Sequence, residues 1–434
     1  MKTYVPMFLC GSKKTFLKKV FILILIGHNS YMHLLSISEN IFLFISGVGF
    51  LQGFLLAGLI YFHHKTDHTV AKFLAFYIAC LSIVMSGALI LKLISWKDGY
   101  FIAPFPALVG PLLYFYVRSF KEQISWKKAF PHLILFVIYF IVSYWWVIDL
   151  DHKYPGAKEF PSQAFRSPIS LVYFGARYVQ LLIYYFLSRR ELATYQNSIR
   201  QLFSDTSRIN LNWVRWLING YLIIIIASVI IYFFMSKYPN DFYLLYVINI
   251  AIATPYIYIS TYKGITQPTI WQRNDTQNRK PLEQQIHLQE EIEMVKPQKD
   301  KGQHTGLADT RNNDVIAKIN LLMDRDKLYQ EPELTLQDLA DKLQLPPYQL
   351  SQVINEGMKK SFYDLINGHR VEEAKRLLLV PGNRNYTILS VGFEAGFNSK
   401  TTFNTVFKKF TGMTPTQFRD ENREVWKTES PLRK

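Results

Sequence analysis

Two segments near the carboxyl end decide the fold: LTLQDLADKLQLPPYQLSQVIN (Leu334–Asn355) and TILSVGFEAGFNSKTTFNTVFKKF (Thr387–Phe410). Each has apolar residues at helical spacing on both sides of a short break, which is Pro346-Pro347 in the first segment and Gly396 in the second. Proline favours the first turn of a helix and glycine favours the position just after its end. The sequence therefore predicts two helix-turn-helix units in tandem.

The second helix of each unit is expected to have one buried and one polar face. In the first unit Leu350, Val353 and Ile354 lie on the buried side. In the second unit the predicted buried stripe consists of Phe403, Val406, Phe407 and Phe410.

The polar faces are candidates for reading DNA, because a helix-turn-helix places its second helix in the major groove. The alternative is that these are two ordinary helical hairpins whose polar faces only meet water. The candidate DNA-binding residues are Tyr348, Gln349, Ser351, Gln352, Asn355, Ser399, Lys400, Thr401, Asn404, Thr405 and Lys408.

A single long helix over Ser361–Leu379 is predicted to separate the two units. At about 1.5 Å per residue it is roughly 29 Å long. A rigid spacer of this length can hold two reading helices about one DNA turn, roughly 34 Å, apart. This spacing favours DNA binding over two unrelated hairpins.

Residues 312–423 resemble the DNA-binding domain of the AraC/XylS family of transcriptional regulators. The resemblance is carried by FYDLINGHRVEEAKRLL in the linker helix, by GFNSKTTFNTVFKKFTGMTP in the second unit, and by Phe418-Arg419. Two positions depart from the frequent family pattern: Gly392, where alanine is common, and Thr405, where arginine often stands. The second departure removes an expected DNA contact and weakens the expected contribution of that helix.

The resemblance implies a monomeric DNA-binding module with two recognition helices in adjacent major grooves, and a separate N-terminal sensor or dimerisation domain. Carried over by position, the first reading helix is Pro347–Glu356 and the second is Ser399–Phe410. The implied partners are double-stranded promoter DNA, RNA polymerase, and a small-molecule or membrane-derived signal. A homodimer is compatible with this organisation. The whole chain resembles membrane-anchored members of the family, in architecture and not through a motif.

The first half of the chain contains seven apolar runs of about 20 residues, the length that crosses roughly 30 Å of hydrocarbon. Prolines 104, 106 and 111 interrupt the third run, for which a re-entrant segment is the alternative. The predicted spans cover residues 40–62, 70–94, 99–117, 130–148, 168–188, 211–236 and 241–262.

Basic residues in the loops predict the orientation. Nine lysines and arginines lie in the loops after spans one, three and five, against five in the opposite loops. Cytoplasmic loops are richer in Lys and Arg, so residue 40 is expected outside and the tail after Lys263 inside. Most of the net charge of +16 belongs to this half, where residues 1–310 hold 30 Lys and Arg against 17 Asp and Glu. We expect the protein in the bacterial cytoplasmic membrane.

Two basic residues lie within the predicted spans. Lys92, near the end of its span, is expected to reach the headgroups. Arg177 lies near the middle of the fifth span, where an unpaired charge is costly. It is expected to face the bundle interior and meet carbonyls, tyrosine hydroxyls or an anionic ligand. It is the candidate sensing residue, with a purely structural role as the alternative.

The predicted fold is all-α, a polytopic helix bundle followed by a domain with two helix-turn-helix units. Residues 1–35 read as a weak signal-peptide-like element or, preferably, as sequence upstream of a start at Met32. The predicted segments are 1–35 (N-terminal extension), 36–263 (bundle), 264–310 (polar linker), 311–425 (DNA-binding domain, with units at 334–356 and 387–410 and the linker helix at 361–379) and 426–434 (tail).

No enzyme motif is found. The two cysteines, Cys10 and Cys80, build neither a disulfide framework nor a metal site, and no P-loop, HExxH or GxSxG pattern occurs. We therefore expect no catalysis, no cofactor and no metal. The leading hypothesis is a membrane-integrated, sequence-specific transcriptional regulator. Its alternative is a membrane receptor or transporter whose carboxyl-terminal helices form a protein-interaction module.

Overall fold

The computed structural model describes residues 28–62, 68–93, 95–122, 124–157, 162–207, 209, 211–238, 242–266, 306–380 and 386–422. In these residues the chain forms fourteen α-helices, short 3-10 and π turns, and one isolated bridge between Phe203 and Thr335. The predicted all-α fold is therefore confirmed. Expectations for residues 1–27, for most of the polar linker, for the tail and for the Lys92 side chain lie outside the described residues.

Seven helices form the first half of the described chain and overlap the seven predicted spans in sequence. They are α1 (His28–Tyr61), α2 (His68–Leu93), α3 (Pro106–Arg118), α4 (Trp126–Lys153), α5 (Pro168–Leu202), α6 (Asn212–Lys237) and α7 (Phe242–Thr266). The third is short, because Pro106 starts it and a 3-10 turn (Trp96–Phe101) precedes it.

Among the described residues of this half, five segments could cross a membrane by length and composition. They are Val70–Gly87, Trp96–Arg118, Lys127–Lys153, Pro168–Leu202 and Asn212–Lys237. Their outer faces remain apolar: Ile138 on α4, Ile183 on α5 and Ile230 on α6 are exposed. An apolar belt of this extent is typical of a surface that meets lipid or another protein.

Tyrosine hydroxyls bind one another and backbone carbonyls inside the bundle. Tyr77 and Tyr256 lie 2.6 Å apart at their hydroxyl oxygens, and Tyr256 also donates to the Leu217 carbonyl at 3.0 Å. Tyr221 donates to the Leu181 carbonyl at 3.1 Å. Buried polar groups are costly unless they are hydrogen-bonded, so these contacts fix how α2, α5, α6 and α7 pack.

The second half contains seven further helices. They are α8 (Gly306–Asp324), α9 (Leu336–Leu343), α10 (Pro347–Gln352), α11 (Phe362–Leu379), α12 (Ile388–Glu394), α13 (Lys400–Thr411) and α14 (Pro415–Glu421). The long helix α11 supplies residues to two hydrophobic cores. Phe362, Leu365 and Ile366 pack with α8, α9 and α10, while later residues of α11 pack with α12 and α13. Each helix-turn-helix unit thus has its own core on α11.

Helix α5 continues beyond the predicted span, which ended at residue 188. Its extension carries the buried residues Leu192, Tyr195, Ile199 and Leu202. The first three join the core of the first half, whereas Leu202 joins the core around α9 and α11. One continuous helix therefore connects the two halves of the described chain.

Candidate DNA-binding surface and bundle cavity

In the first unit, caps and prolines define where the helices begin. Thr335 and Asp338 form a reciprocal capping box at the start of α9, in which the Thr335 amide donates to the Asp338 carboxylate at 2.8 Å. Gln344 ends α9 in the left-handed conformation, and Pro347 occupies the first turn of α10. After Gln352 the helix passes into a π turn, Val353–Gly357. The predicted turn chemistry around Pro346-Pro347 is therefore found in the structure.

In the second unit the predicted caps are also present. Ser399 accepts a hydrogen bond from the Thr402 amide at 3.1 Å and so caps α13. Gly396 adopts φ +95°, and an added Cβ there would lie 2.6 Å from the Tyr329 carbonyl oxygen. Only glycine fits this turn, both because of its positive φ and because of the close approach.

The presence of glycine at position 392, where the family often has alanine, is explained by a neighbouring side chain. A Cβ added to Gly392 would lie 2.7 Å from the ring of Phe403, which is completely buried on α13. The Phe403 ring occupies the space that an alanine methyl would need. Alanine at this position would therefore require the Phe403 ring or α12 to move.

Most of the candidate DNA-binding side chains are exposed. On α10, Tyr348 and Gln352 are exposed, Gln349 is half-buried and Ser351 is buried. Ser351 accepts a hydrogen bond at 3.2 Å from Asn355, which is half-buried in the π turn. On α13 the exposed residues are Lys400, Thr401, Thr405 and Lys408, while Asn404 and the preceding cap residue Ser399 are half-buried.

The buried stripe of α13 is shorter than predicted. Phe403, Val406 and Phe407 are at most 1% exposed, as expected, but Phe410 is 40% exposed. The prediction for Phe410 was wrong because it lies in the last turn of the helix, beyond the core that α11 and α12 provide. There it contacts the ammonium group of Lys409, which lies 5.3 Å from its ring centroid.

An ion pair connects α13 to the linker helix α11. Lys409 Nζ lies 2.6 Å from Asp364 Oδ1 on α11. Burial raises the pKa of Asp364, but the hydrogen bonds from Lys409 and Ser361 outweigh burial and lower the pKa overall. The pair fixes the end of α13 against the start of α11, and sequence reasoning did not identify it.

Arg370 on α11 is among the largest fully buried side chains of the described residues, and it holds the segment that precedes α9. Its guanidinium donates to the carbonyls of Tyr329 and Glu331, both at 2.7 Å. Burial lowers the pKa of Arg370 to about 10, which leaves it charged at neutral pH.

The same arginine binds the segment that follows α5, Phe203–Asp205. Arg370 Nη2 donates to Ser204 Oγ at 3.2 Å, and Ser204 Oγ donates to the Leu334 carbonyl at 2.7 Å. Asn367 donates to the Ser204 carbonyl at 2.8 Å, and Asn398, next to the cap of α13, donates to Asp205 at 3.0 Å. This segment, which we call the strap, is therefore fixed to both helix-turn-helix units.

Arg177, the candidate sensing residue, lines a cavity of about 270 Å³ between helices α2 to α7. Its guanidinium carbon lies 4.3 Å from the ring centroid of Phe174 and 5.2 Å from that of Tyr178. It faces the bundle interior, as expected, and among the described residues it contacts these two aromatic rings. The expectation of an anionic ligand stays a prediction.

Residues 339–421 match the family of helix-turn-helix domains. This part of the chain is an AraC-type helix-turn-helix domain. A stretch of 108 residues is 29% identical to HTH-type transcriptional regulators of Staphylococcus aureus strains COL, MSSA476 and N315. It covers 25% of this chain and only 14% of each relative. No solved structure matches the chain.

The match thus supports DNA binding and transcription regulation for the AraC-type domain. In the described residues, no group of three or more His, Cys, Asp or Glu side chains could hold a metal.

Proposed function

We propose that this chain is a membrane-integrated, sequence-specific transcriptional regulator of the bacterial cytoplasmic membrane. In this proposal residues 36–263 form the sensor bundle and residues 311–425 bind promoter DNA through α10 and α13. The position of helix α5 supports this proposal in addition to the family match. The helix lines the bundle cavity near its start and contacts the AraC-type domain at its end.

Helix α5 is suited to transmit a signal. From Arg177 to Leu202 it runs for about 38 Å at about 1.5 Å per residue. The polar extension beyond Arg189 and Arg190 carries it out of the apolar region, because basic residues mark the cytoplasmic boundary. A shift of α5 at the cavity would therefore move the strap, and with it the segment that Arg370 holds.

The reading surface supports binding to DNA over binding to another protein. Lys400 and Lys408 on α13 are exposed and positive, whereas Gln352 on α10 offers an amide for base edges. A protein-interaction module would instead need an apolar patch at its centre. On the reading faces only Tyr348 and Phe410 are large exposed hydrophobic residues.

The proposal is tested with the full chain reconstituted in lipid nanodiscs. We expect it to enrich a defined sequence from a random DNA library, and we expect its affinity for that sequence to fall as salt rises. Retention of DNA without any enriched sequence would contradict sequence-specific regulation. No retention at all would favour the receptor or transporter alternative.

A further inference from the structure

The bundle cavity lies in the half of the bundle opposite the AraC-type domain. Its wall includes Trp96 and Gly99 of the 3-10 turn, Phe165 before α5 and Met235 near the end of α6. The strap, by contrast, follows the other end of α5. In the proposed orientation the cavity is therefore in the outer half of the membrane, where a molecule from outside the cell can reach it.

The tyrosines of the cavity wall already use their hydroxyls within the protein. Tyr173 donates to the Ala103 carbonyl at 3.0 Å, Tyr178 to the Ser228 carbonyl at 3.0 Å, and Tyr246 to the Val84 carbonyl at 2.7 Å. Tyr232 lies 2.9 Å from Ser170 Oγ. The wall is otherwise mainly apolar, so these groups leave few hydrogen-bonding positions open to a ligand.

Arg177 is different from these residues. It is the one charged side chain among the described residues that line the cavity. Its Nε is buried and has no hydrogen-bond partner among the described residues, and no carboxylate lies in the cavity wall. Aromatic rings attract a cation but accept no strong hydrogen bond. A cation whose N–H donors lack acceptors has a high free energy in an apolar cavity. A bound anion would supply both the acceptors and the opposite charge.

We propose that the cavity binds a small amphiphilic carboxylate, with the carboxylate on Arg177 and the apolar body against the aliphatic and aromatic wall. A guanidinium binds a carboxylate through two parallel hydrogen bonds. This inference rests on the sensor role proposed above and names the chemical class of the signal.

The depth of Arg177 favours a separate ligand over the headgroup of a bilayer lipid. Arg177 is nine residues after Pro168, the start of α5, which corresponds to about 13 Å along the helix. The hydrocarbon core is about 30 Å thick, so Arg177 lies near its centre. Lipid headgroups lie at the boundary. The carboxylate of a ligand inside the bundle can reach this depth.

The test uses the full chain in phosphatidylcholine nanodiscs without DNA, titrated with decanoate and, as a neutral match, with 1-decanol. We expect saturable binding of decanoate that is tighter than that of decanol by about tenfold or more, the factor that one charge-assisted hydrogen bond supplies. Arg177→Gln should abolish this preference, and Arg177→Lys should retain part of it. The control is Arg189→Gln on the same helix, an exposed arginine that bonds Asn219; it should bind as the parent chain does.

Thermal unfolding separates a ligand role from a purely structural one. Without decanoate, Arg177→Gln should unfold at the same temperature as the parent chain or higher, since an unsatisfied charge is removed. A lower unfolding temperature together with an unchanged decanoate preference would overturn the proposal, as would equal affinities of the parent chain for decanoate and decanol. Decanoate binding that disappears in phosphatidylglycerol nanodiscs would assign the site to a lipid headgroup. Because no DNA is present, failure here leaves the DNA-binding proposal intact, and the reverse also holds.

Discussion

Gln352 and Lys408 lie on different reading helices and have different chemistry. The Gln352 amide can bind an adenine edge with two hydrogen bonds, whereas the Lys408 ammonium suits a phosphate. We predict that Gln352→Ala costs about 1–3 kcal/mol on the preferred site and relaxes the preference at one base pair. Lys408→Ala should weaken binding to all sequences and reduce the salt slope by about one.

Binding isotherms at several salt concentrations on a set of single-base variants check both expectations. Gln337→Ala and Lys342→Ala are matched controls, because both residues lie on α9 and not on a reading helix. The assignment would be reversed if Lys408→Ala changed the sequence preference while Gln352→Ala lowered affinity uniformly.

Gly392 and Gly368 are both helical glycines, but they should respond to alanine in opposite directions. At Gly392 the new methyl meets the Phe403 ring at 2.7 Å, and we expect a loss of roughly 1–3 kcal/mol of local stability. At Gly368 the nearest atom, in Phe410, is 3.6 Å away, so alanine should stabilise α11 by about 0.5–1 kcal/mol. Hydrogen exchange of the α12 and α13 amides measures the change at Gly392, and hydrogen exchange of the α11 amides measures the change at Gly368. Equal effects of the two substitutions would show that Phe403 does not restrict Gly392.

Local sequence patterns predicted the structural roles of some residues correctly and those of others incorrectly. The roles of Ser399 as a cap and of Gly396 as a turn residue follow from the residues next to them in sequence, although the close approach of Gly396 to Tyr329 does not. The exposure of Phe410 depends on where the core of α11 and α12 ends. Helical periodicity does not predict that position. The contacts of Arg370 were also not predicted from the sequence, because they join residues about forty positions apart.

At the scale of elements, the strap is the feature that sequence patterns could not supply. The spacing of Leu192, Tyr195, Ile199 and Leu202 does indicate that α5 continues past residue 188. However, Ser204 and Leu334, which bond each other, are 130 residues apart. No local pattern in a single sequence relates them.

The strap should couple the bundle to the AraC-type domain. Ser204→Ala removes the buried hydroxyl between Arg370 and the Leu334 carbonyl, which should cost about 1–3 kcal/mol of strap docking. We predict faster hydrogen exchange in residues 329–335, with little change in the affinity for the preferred DNA site. Ser198→Ala, on α5 just before the strap, is the control. Unchanged exchange at residues 329–335 would show that the strap does not hold this segment.

At the scale of the whole molecule, the proposal requires the AraC-type domain to be in the cytoplasm. The excess of basic residues in the loops after spans one, three and five supports this orientation. A reporter that is active only outside the cytoplasm should be silent when fused after Lys263. Activity of this fusion would contradict the orientation, and fusions in the opposite loops, such as after Lys153, should be active.

The central claim is that the chain regulates particular genes while it remains in the membrane. The most direct measurement maps the genomic sites crosslinked to the full-length protein recovered from the membrane fraction, for the parent chain and for Gln352→Ala. We predict discrete sites upstream of genes that share one sequence and lose occupancy in the variant. Uniform recovery of DNA, or identical sites for both chains, would contradict the account.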